Sequence, residues 1–444
     1  MEFGIDKKLN ILLISSGIPT DNSPKMALDM SRALRVDHDV DLLFKYPVKS
    51  DLPTISAFNK SEIYFLQKFN YLIRIFNFSK RIFKENINFL LGKQNYKPLP
   101  HYHFFGIDDK HPPVNSKRIL KKIKKEYDFV VVFFWQGMIT SKTLFDIYQK
   151  MKKPILLISA DMFPMTGGCS YFWDCDRLEH FCGKCPGLNS HDENDVTRIN
   201  FLYKKQKLEK VNCVFLGNSW MNKFAEKSGL FKNIDKVYPI IDENVFKPQD
   251  KKLLRKKNNF DDKIILFFGA VTANEIRKGS KYLVEALQLL VIQRPELKNK
   301  ILLLVAGNES DILGLEKFDV FKTGHLNFEK LAECYAMADI FLSPSIQDAG
   351  PMMLNQALLC GTPAVAFEMG TACDFINSNT GYIAKYKDSE DFCRGIINLI
   401  DKSKDELEFM SKECRRQSMA KYSYTAFREN IIRIYNNNNN KNVN

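Results

Sequence analysis

Short apolar runs alternate with stretches of helical spacing along most of this chain. The first run, 9–14, ends at Ser15 ahead of a Gly/Pro/Asn/Ser loop that reaches Pro24, and Met26, Met30, Ala33 and Leu34 then recur at helical spacing. This predicts strand, loop and helix in that order. The runs 40–44, 129–134 and 154–159 predict further buried strands, with helices over 116–125 and 142–151 among them. Strands this short, apolar on both faces and separated by helices, predict a parallel sheet covered on each side.

After Asn194 a long helical stretch leads to a strand at 211–216, and Asn218-Ser219-Trp220 opens another helix with a plausible cap. A basic connector punctuated by Pro239 and Pro248 follows, and the alternation restarts. Strands are expected at 263–268, 301–306, 340–342 and 363–367, and helices at 280–291, 328–337 and 351–359. The pattern predicts two doubly wound halves with a cleft between them. The expected divisions are a first domain over 1–238, a linker over 239–262 and a second domain over 263–419. A return helix at about 420–436 completes the first domain, and the Asn-rich stretch 437–444 reads as a disordered tail.

The chain has 444 residues, nearly half of them apolar, too many for one ordinary core. Its formal charge is +13, which favours phosphates, nucleic acid or an anionic membrane surface without choosing among them. No apolar run approaches the roughly 18 residues of a membrane span, and 9–14 is too short for a signal-peptide core. The ten cysteines include isolated ones such as Cys213, Cys334 and Cys360 inside apolar stretches, as buried cytosolic thiols would be.

The most informative stretch runs from Ser343 to Pro363. A strand ends in a polar loop, Pro351 suits the first helical position, and Gly361 stops the helix. The N–H groups of Met352, Met353 and Leu354 would then present a partial positive charge to an anion, and Gly350 joins them as a donor-binding candidate. Asp348 before the helix and Gln356 within it could reach hydroxyls of a sugar or ribose; an ordinary strand-turn-helix with a capping Asp is the competing reading. A second loop runs from Phe268-Gly269-Ala270 to Arg277-Lys278-Gly279. An Arg-Lys pair at a helix start opposes the helix dipole, which points to an anion there, although solvated charge would look the same.

The stretch 343–363 resembles the signature of the family 4 glycosyltransferases, two spaced glutamates flanking a Phe-Gly loop ahead of Ala-x-x-x-Gly-Thr-Pro. Asp348 falls on the first glutamate, which holds a donor-sugar hydroxyl in that family, and Gln356 on the second, which binds the ribose. The 268–279 loop resembles the family's diphosphate clamp, with Lys278 as its second cation and Ala270 in place of the first; Arg277 could supply the missing charge. The resemblance extends through 303–307, 323–325 and 331–344, and 241–248 is similar to the interdomain linker. Phe134-Trp135 and the run from Ala160 through Asp161 to Cys169 resemble acceptor-domain segments, with Ala160 where many relatives carry histidine. Asp161 is a candidate for a polar role facing the acceptor.

Cys169, Cys175, Cys182 and Cys185 are compatible with a structural zinc site, with free thiols as the alternative. From 58 to 97 aromatic and aliphatic residues interleave with lysines and arginines, a pattern that suits an anionic membrane interface or a core. No nucleic-acid motif is present.

The resemblance implies α/β architecture of the GT-B type, two facing Rossmann-like domains, and a retaining, hexosyltransferase-like enzyme without a catalytic metal. Its donor would be a nucleotide sugar and its acceptor a glycan or lipid-linked glycan of cell-surface polysaccharide or glycoconjugate synthesis. A cytoplasmic location, peripheral to the inner face of the membrane, is the corresponding expectation. Asp348, Lys278 and Asp161 are the catalytic candidates. A non-catalytic sugar-nucleotide-binding subunit and a nucleotide-sugar epimerase of the same fold are the alternatives.

Overall fold

A computed structural model describes residues 7–17, 23–63, 98–104, 106–272, 275–308 and 312–440. The chain divides into two compact units, one of Met1–Leu216, Phe224–Asp235 and Arg433–Asn444, the other of Gly217–Lys223 and Lys236–Ile432. Each is built on one sheet.

In the first unit the strands are β1 (Asn10–Ser15), β2 (Asp39–Phe44), β3 (Thr54–Ser56), β4 (Phe129–Phe133), β5 (Ile155–Ile158), β6 (Cys213–Gly217) and β7 (Asn233–Lys236), ordered β3-β2-β1-β4-β5-β6-β7. The pairs from β3 through β6 are parallel. Every residue of β4 and β5 is buried, as expected of strands covered on both faces, and this is why their sequences read as unbroken apolar runs. Chain order reverses between β1 and β4, where the Ser16 N–H donates to the Phe134 carbonyl at 2.9 Å. Such a reversal leaves a crevice at the carboxyl ends of the strands.

The second unit repeats the plan with β8 (Ile264–Thr272), β9 (Ile301–Asn308), β10 (Asp319–Gly324), β11 (Ile340–Ser343), β12 (Ala364–Phe367) and β13 (Gly381–Ala384), ordered β10-β9-β8-β11-β12-β13. All neighbours are parallel, and the reversal lies between β8 and β11, where Ile340 pairs with Leu266 and Phe341 with Phe267. Its core includes Phe267, Leu304, Tyr335, Phe341, Leu354 and Phe375. Part of the expected linker is helical and built into this unit. The helix Lys251–Asn258, capped by Asp250, sends Lys251 and Arg255 to the Asp339 carboxylate at 2.6 Å each, and Asp339 also accepts the Ile265 N–H.

The expected disordered tail is corrected in part. The last helix runs Tyr424–Asn440, so 437–440 are helical; 441–444 lie outside the described residues. Its end belongs to the first unit, where Tyr435 stacks on Phe129 at 4.5 Å and Asn438 is buried, donating to Asn212 at 3.1 Å. Side-chain burial on a preformed surface overrides the modest helix propensity of asparagine. Most of the basic, aromatic stretch, 64–97, also lies outside the described residues. No described helix is long and apolar enough to cross a membrane.

Candidate functional site

In the second unit the two loops singled out by sequence meet at the strand reversal. The end of β8 runs into a turn of 3-10 helix, Ile276–Lys278, and Gly279 then opens the helix Ser280–Gln293. Gly279 has φ +71, and a Cβ there would lie 1.9 Å from the Pro344 carbonyl oxygen, so glycine alone lets the loop close on the chain leaving β11. The Arg277 carbonyl accepts the N–H groups of Ile346 and Gln347 at 2.8 and 3.3 Å. Backbone bonds thus bring Arg277 and Lys278 beside Asp348.

The side chains form one ionic cluster. Lys278 Nζ lies 2.6 Å and Arg277 Nη1 2.9 Å from the same oxygen, Asp348 Oδ2, while Oδ1 accepts the Gly350 N–H at 3.2 Å. Arg277 Nε also pairs with Glu275. The side chains of Lys278, Arg277 and Asp348 keep 18, 17 and 13% of their surface exposed, so the cluster is recessed but reachable. Burial pushes the Asp348 carboxyl up, but the charges of Lys278 and Arg277, with the Lys278 and Gly350 hydrogen bonds, outweigh it and hold the group below the usual carboxylate range. Asp348 is therefore ionised at neutral pH, between two cations.

The helix after this loop runs Met352–Leu359 with Pro351 as its N-cap, so it starts one position later than the sequence suggests. The Leu354 N–H already donates to the Pro351 carbonyl at 3.0 Å and its side chain is fully buried, which takes Leu354 out of the expected set of anion donors. Met352 and Met353 are half-buried. A Cβ on Gly269 would lie 2.3 Å from Met353 Cε, so that glycine makes room for the methionine at the end of β8. Ala270 is buried. Gln356 lies inside the helix-sheet core, its Oε1 accepting the Tyr335 hydroxyl at 3.0 Å, which leaves its amide nitrogen as the atom able to meet a ligand. The loop that holds Asp348 is steadied by Asn218, whose Nδ2 donates to the Ala349 carbonyl. Sequence reasoning missed Glu275, Tyr335 and Asn218. Glu275 stands two residues before Arg277 and could have been found from that spacing; the other two come from distant segments.

In the first unit Asp161 is buried beyond β5. Its carboxylate takes Gln136 Nε2 at 2.9 and 2.8 Å and the Phe163 N–H at 2.8 Å. Burial pushes it up to about 6, against the opposing pull of the Phe163 N–H, Gln136 and the Lys204 charge. Lys204, on the helix Val196–Leu208, is fully buried and donates to the carbonyls of Phe163 and Thr166 at 2.8 Å each, with its ammonium 4.5 Å from the Phe163 ring centre. Gln136 and Lys204 also escaped the sequence reading. Thr197, Asn200, Phe201, Lys204 and Leu208 share one buried helix face, so helical spacing was the signal for the lysine.

The four thiols expected to hold zinc share one loop, close enough to raise one another's pKa. Cys169, Cys175, Cys182 and Cys185 are free thiols, and among the described residues no three His, Cys, Asp or Glu side chains form a group that could hold a metal. The loop is held instead by polar bonds from outside it. Asp195 accepts the Cys185 N–H at 2.9 Å, Thr197 accepts the Gly183 N–H at 3.2 Å, and Arg177 and Arg198 converge on Glu193. Burial pushes the Cys182 thiol up to about 12 and that of Cys185 to about 11, which keeps them protonated.

Residues 250–417 match the family model "Glycosyl transferases group 1". A D-inositol 3-phosphate glycosyltransferase of Catenulispora acidiphila is 24% identical over 184 residues, 38% of this chain and 42% of that protein. The chain spans 42 to 66% of the length of the first curated relatives it matches. Among solved structures, sucrose-phosphate synthase of Thermosynechococcus elongatus superposes with a TM-score of 0.63 at 15% identity, covering 97% of this chain and 99% of that one. Anabaena HepE in complex with UDP gives 0.60 at 12% identity, covering 97% and 100%. The chain has the GT-B fold, and its residues 250–417 are similar to the group 1 glycosyltransferase domain.

Proposed function

We propose that this protein transfers a sugar from a nucleotide-diphosphate sugar to an acceptor hydroxyl with retention of anomeric configuration, in the manner of the family 4 enzymes. The observation that carries the reading is the cluster of Arg277, Lys278 and Asp348 at the β8/β11 reversal, two recessed cations and a carboxylate held by paired loops. Negative charge on the diphosphate grows as the glycosidic bond breaks, and Arg277, Lys278 and the N–H groups of Met352 and Met353 are the groups that would stabilise it. Asp348 would hold a donor-sugar hydroxyl and the Gln356 amide the ribose. No step in this scheme requires a metal, so chelator should leave turnover unchanged. The acceptor is a glycan or lipid-linked glycan of polysaccharide or glycoconjugate synthesis. The basic stretch from Phe58 suits contact with an anionic membrane, which salt-releasable co-sedimentation with anionic vesicles tests.

The central experiment is Lys278→Ala, assayed with the nucleotide sugar selected from a panel by thermal shift. Turnover should fall roughly 100- to 1,000-fold, about 2.7–4 kcal/mol by analogy with losing one oxyanion-stabilising donor. Ligand-free stability should move by less than about 1 kcal/mol, because Arg277 still neutralises Asp348. A variant within a fewfold of the parent would remove the diphosphate from this site. A parent that binds donor but neither hydrolyses nor transfers it would favour the sugar-nucleotide-binding subunit.

A further inference from the structure

We infer that Asp348 is an internal anion that competes with a diphosphate for Arg277 and Lys278, and so determines how weakly the site holds a bare nucleoside diphosphate. The inference rests on the donor-site reading above and adds a sign to it: a residue expected to help bind the intact donor opposes binding of the product. Both cations converge on a single oxygen of Asp348, at 2.6 and 2.9 Å, and the second nitrogen face of Arg277 is turned to Glu275. The two positive and two negative side chains of this cluster thus balance one another. A diphosphate arriving there meets no net attraction until the carboxylate lets go.

The carboxylate cannot let go by drifting away. Its second oxygen is tied to the Gly350 N–H, and the segment that carries it is bonded through Ile346 and Gln347 to the Arg277 carbonyl. An aspartate stem is short, and these bonds keep the Asp348 backbone beside the two cations. A ligand with a hydroxyl beside its diphosphate gives the carboxylate a donor to accept from, while the cations turn to the phosphates. A ligand without that hydroxyl leaves an ionised carboxylate facing a diphosphate across a recessed site, where like charges are poorly screened. Discrimination between intact donor and spent nucleotide follows from this geometry, as does easier release of product.

Inorganic pyrophosphate and UDP, titrated calorimetrically into the ligand-free full chain, provide the test. Asp348→Asn keeps the shape and the Gly350 acceptor but removes the competing charge, and should bind pyrophosphate at least about tenfold more tightly than the parent. Asp348→Glu keeps the charge and should stay within about threefold of the parent, which controls for damage to the loop. Lys278→Ala should bind pyrophosphate at least about tenfold more weakly than the parent. UDP should follow the same order. Unchanged or weaker pyrophosphate binding by Asp348→Asn, with the Lys278→Ala loss present, overturns the competing-anion role and leaves the donor site standing. If neither substitution alters binding, or pyrophosphate binds no variant, both the inference and the placement of the diphosphate fall.

Discussion

The first unit holds Lys204 and Asp161 beyond the ends of its strands, and the second holds Lys278 and Asp348; the two lysines differ in what accepts their hydrogen bonds. Lys204 is fully buried and satisfied by two backbone carbonyls, which cannot leave it without unmaking the 163–166 turn. Lys278 is partly exposed and satisfied by a side-chain carboxylate, which can be exchanged for another anion. A buried cation bound to main chain is part of the fold, whereas a recessed cation bound to a side chain is available to a ligand. Asp161 and Asp348 divide in the same sense: burial lifts the first, while neighbouring cations hold the second down despite its burial.

The contrast breaks most visibly if the lysines are exchanged for methionine. Lys204→Met should cost about 4 kcal/mol of stability, because two buried hydrogen bonds from a charged donor are lost, each worth roughly 1.5–3 kcal/mol, and the Phe163 carbonyl keeps only its long bond from the Thr166 N–H. Lys278→Met should cost less than about 1 kcal/mol while weakening pyrophosphate binding at least about tenfold. Chemical denaturation of both proteins checks the pair, and equal losses would erase the distinction. A smaller effect is expected at the loop that brings Lys278 into place. Gly279→Ala forces a side chain into a left-handed position and against the Pro344 carbonyl, and should cost about 3 kcal/mol. Nucleotide binding should weaken with it. A fully stable Gly279→Ala protein would show that the two loops need not touch.

How far these differences could be foreseen depended on whether a contact is local. The runs over β1, β4, β5, β8, β9, β11 and β12 announce themselves because both faces are buried; β10 and β13 do not, since Asp319–Gly324 is largely exposed at an edge and Gly381–Ala384 is a four-residue edge strand buried only at its two ends. Arg277, Lys278, Gly279 and Asp348 were legible because each loop carries its own pattern of charge and glycine. That both cations share one oxygen of Asp348 was not, for it depends on the Arg277 carbonyl meeting a segment some seventy residues later in the chain. The tail was misjudged because composition reports what asparagine does alone, not what Tyr435 and Asn438 do against Phe129 and Asn212. The cysteines have the spacing of a metal site, yet the bonds that shape their loop come from Asp195, Thr197 and Glu193, outside the motif.

The smallest effect sharpens the comparison between the two carboxylates through pH. An aspartate in an unfolded chain titrates near 3.9, and burial raises Asp161 to about 6 in the folded protein. Between those values the folded state retains a proton that the unfolded state has released, so stability falls as pH rises from about 4 to about 6 and levels off above. Asp161→Asn removes this term, so the stability of the parent relative to the variant should decline by about 2 kcal/mol across that window, after allowance for the Gln136 contact to Oδ2 lost at every pH. Asp348 is held low, so its contribution has the opposite sign: present above about pH 4, it is lost as the pH falls through its depressed value. Asp348→Asn should therefore leave the slope between pH 4 and 6 nearly unchanged. Denaturation midpoints of parent and both variants at half-unit pH intervals separate the cases. A parent-minus-variant difference for Asp161→Asn that is flat over the window would mean that Asp161 is ionised throughout, and the buried polar network of the first unit would then be as charged as the ionic cluster of the second.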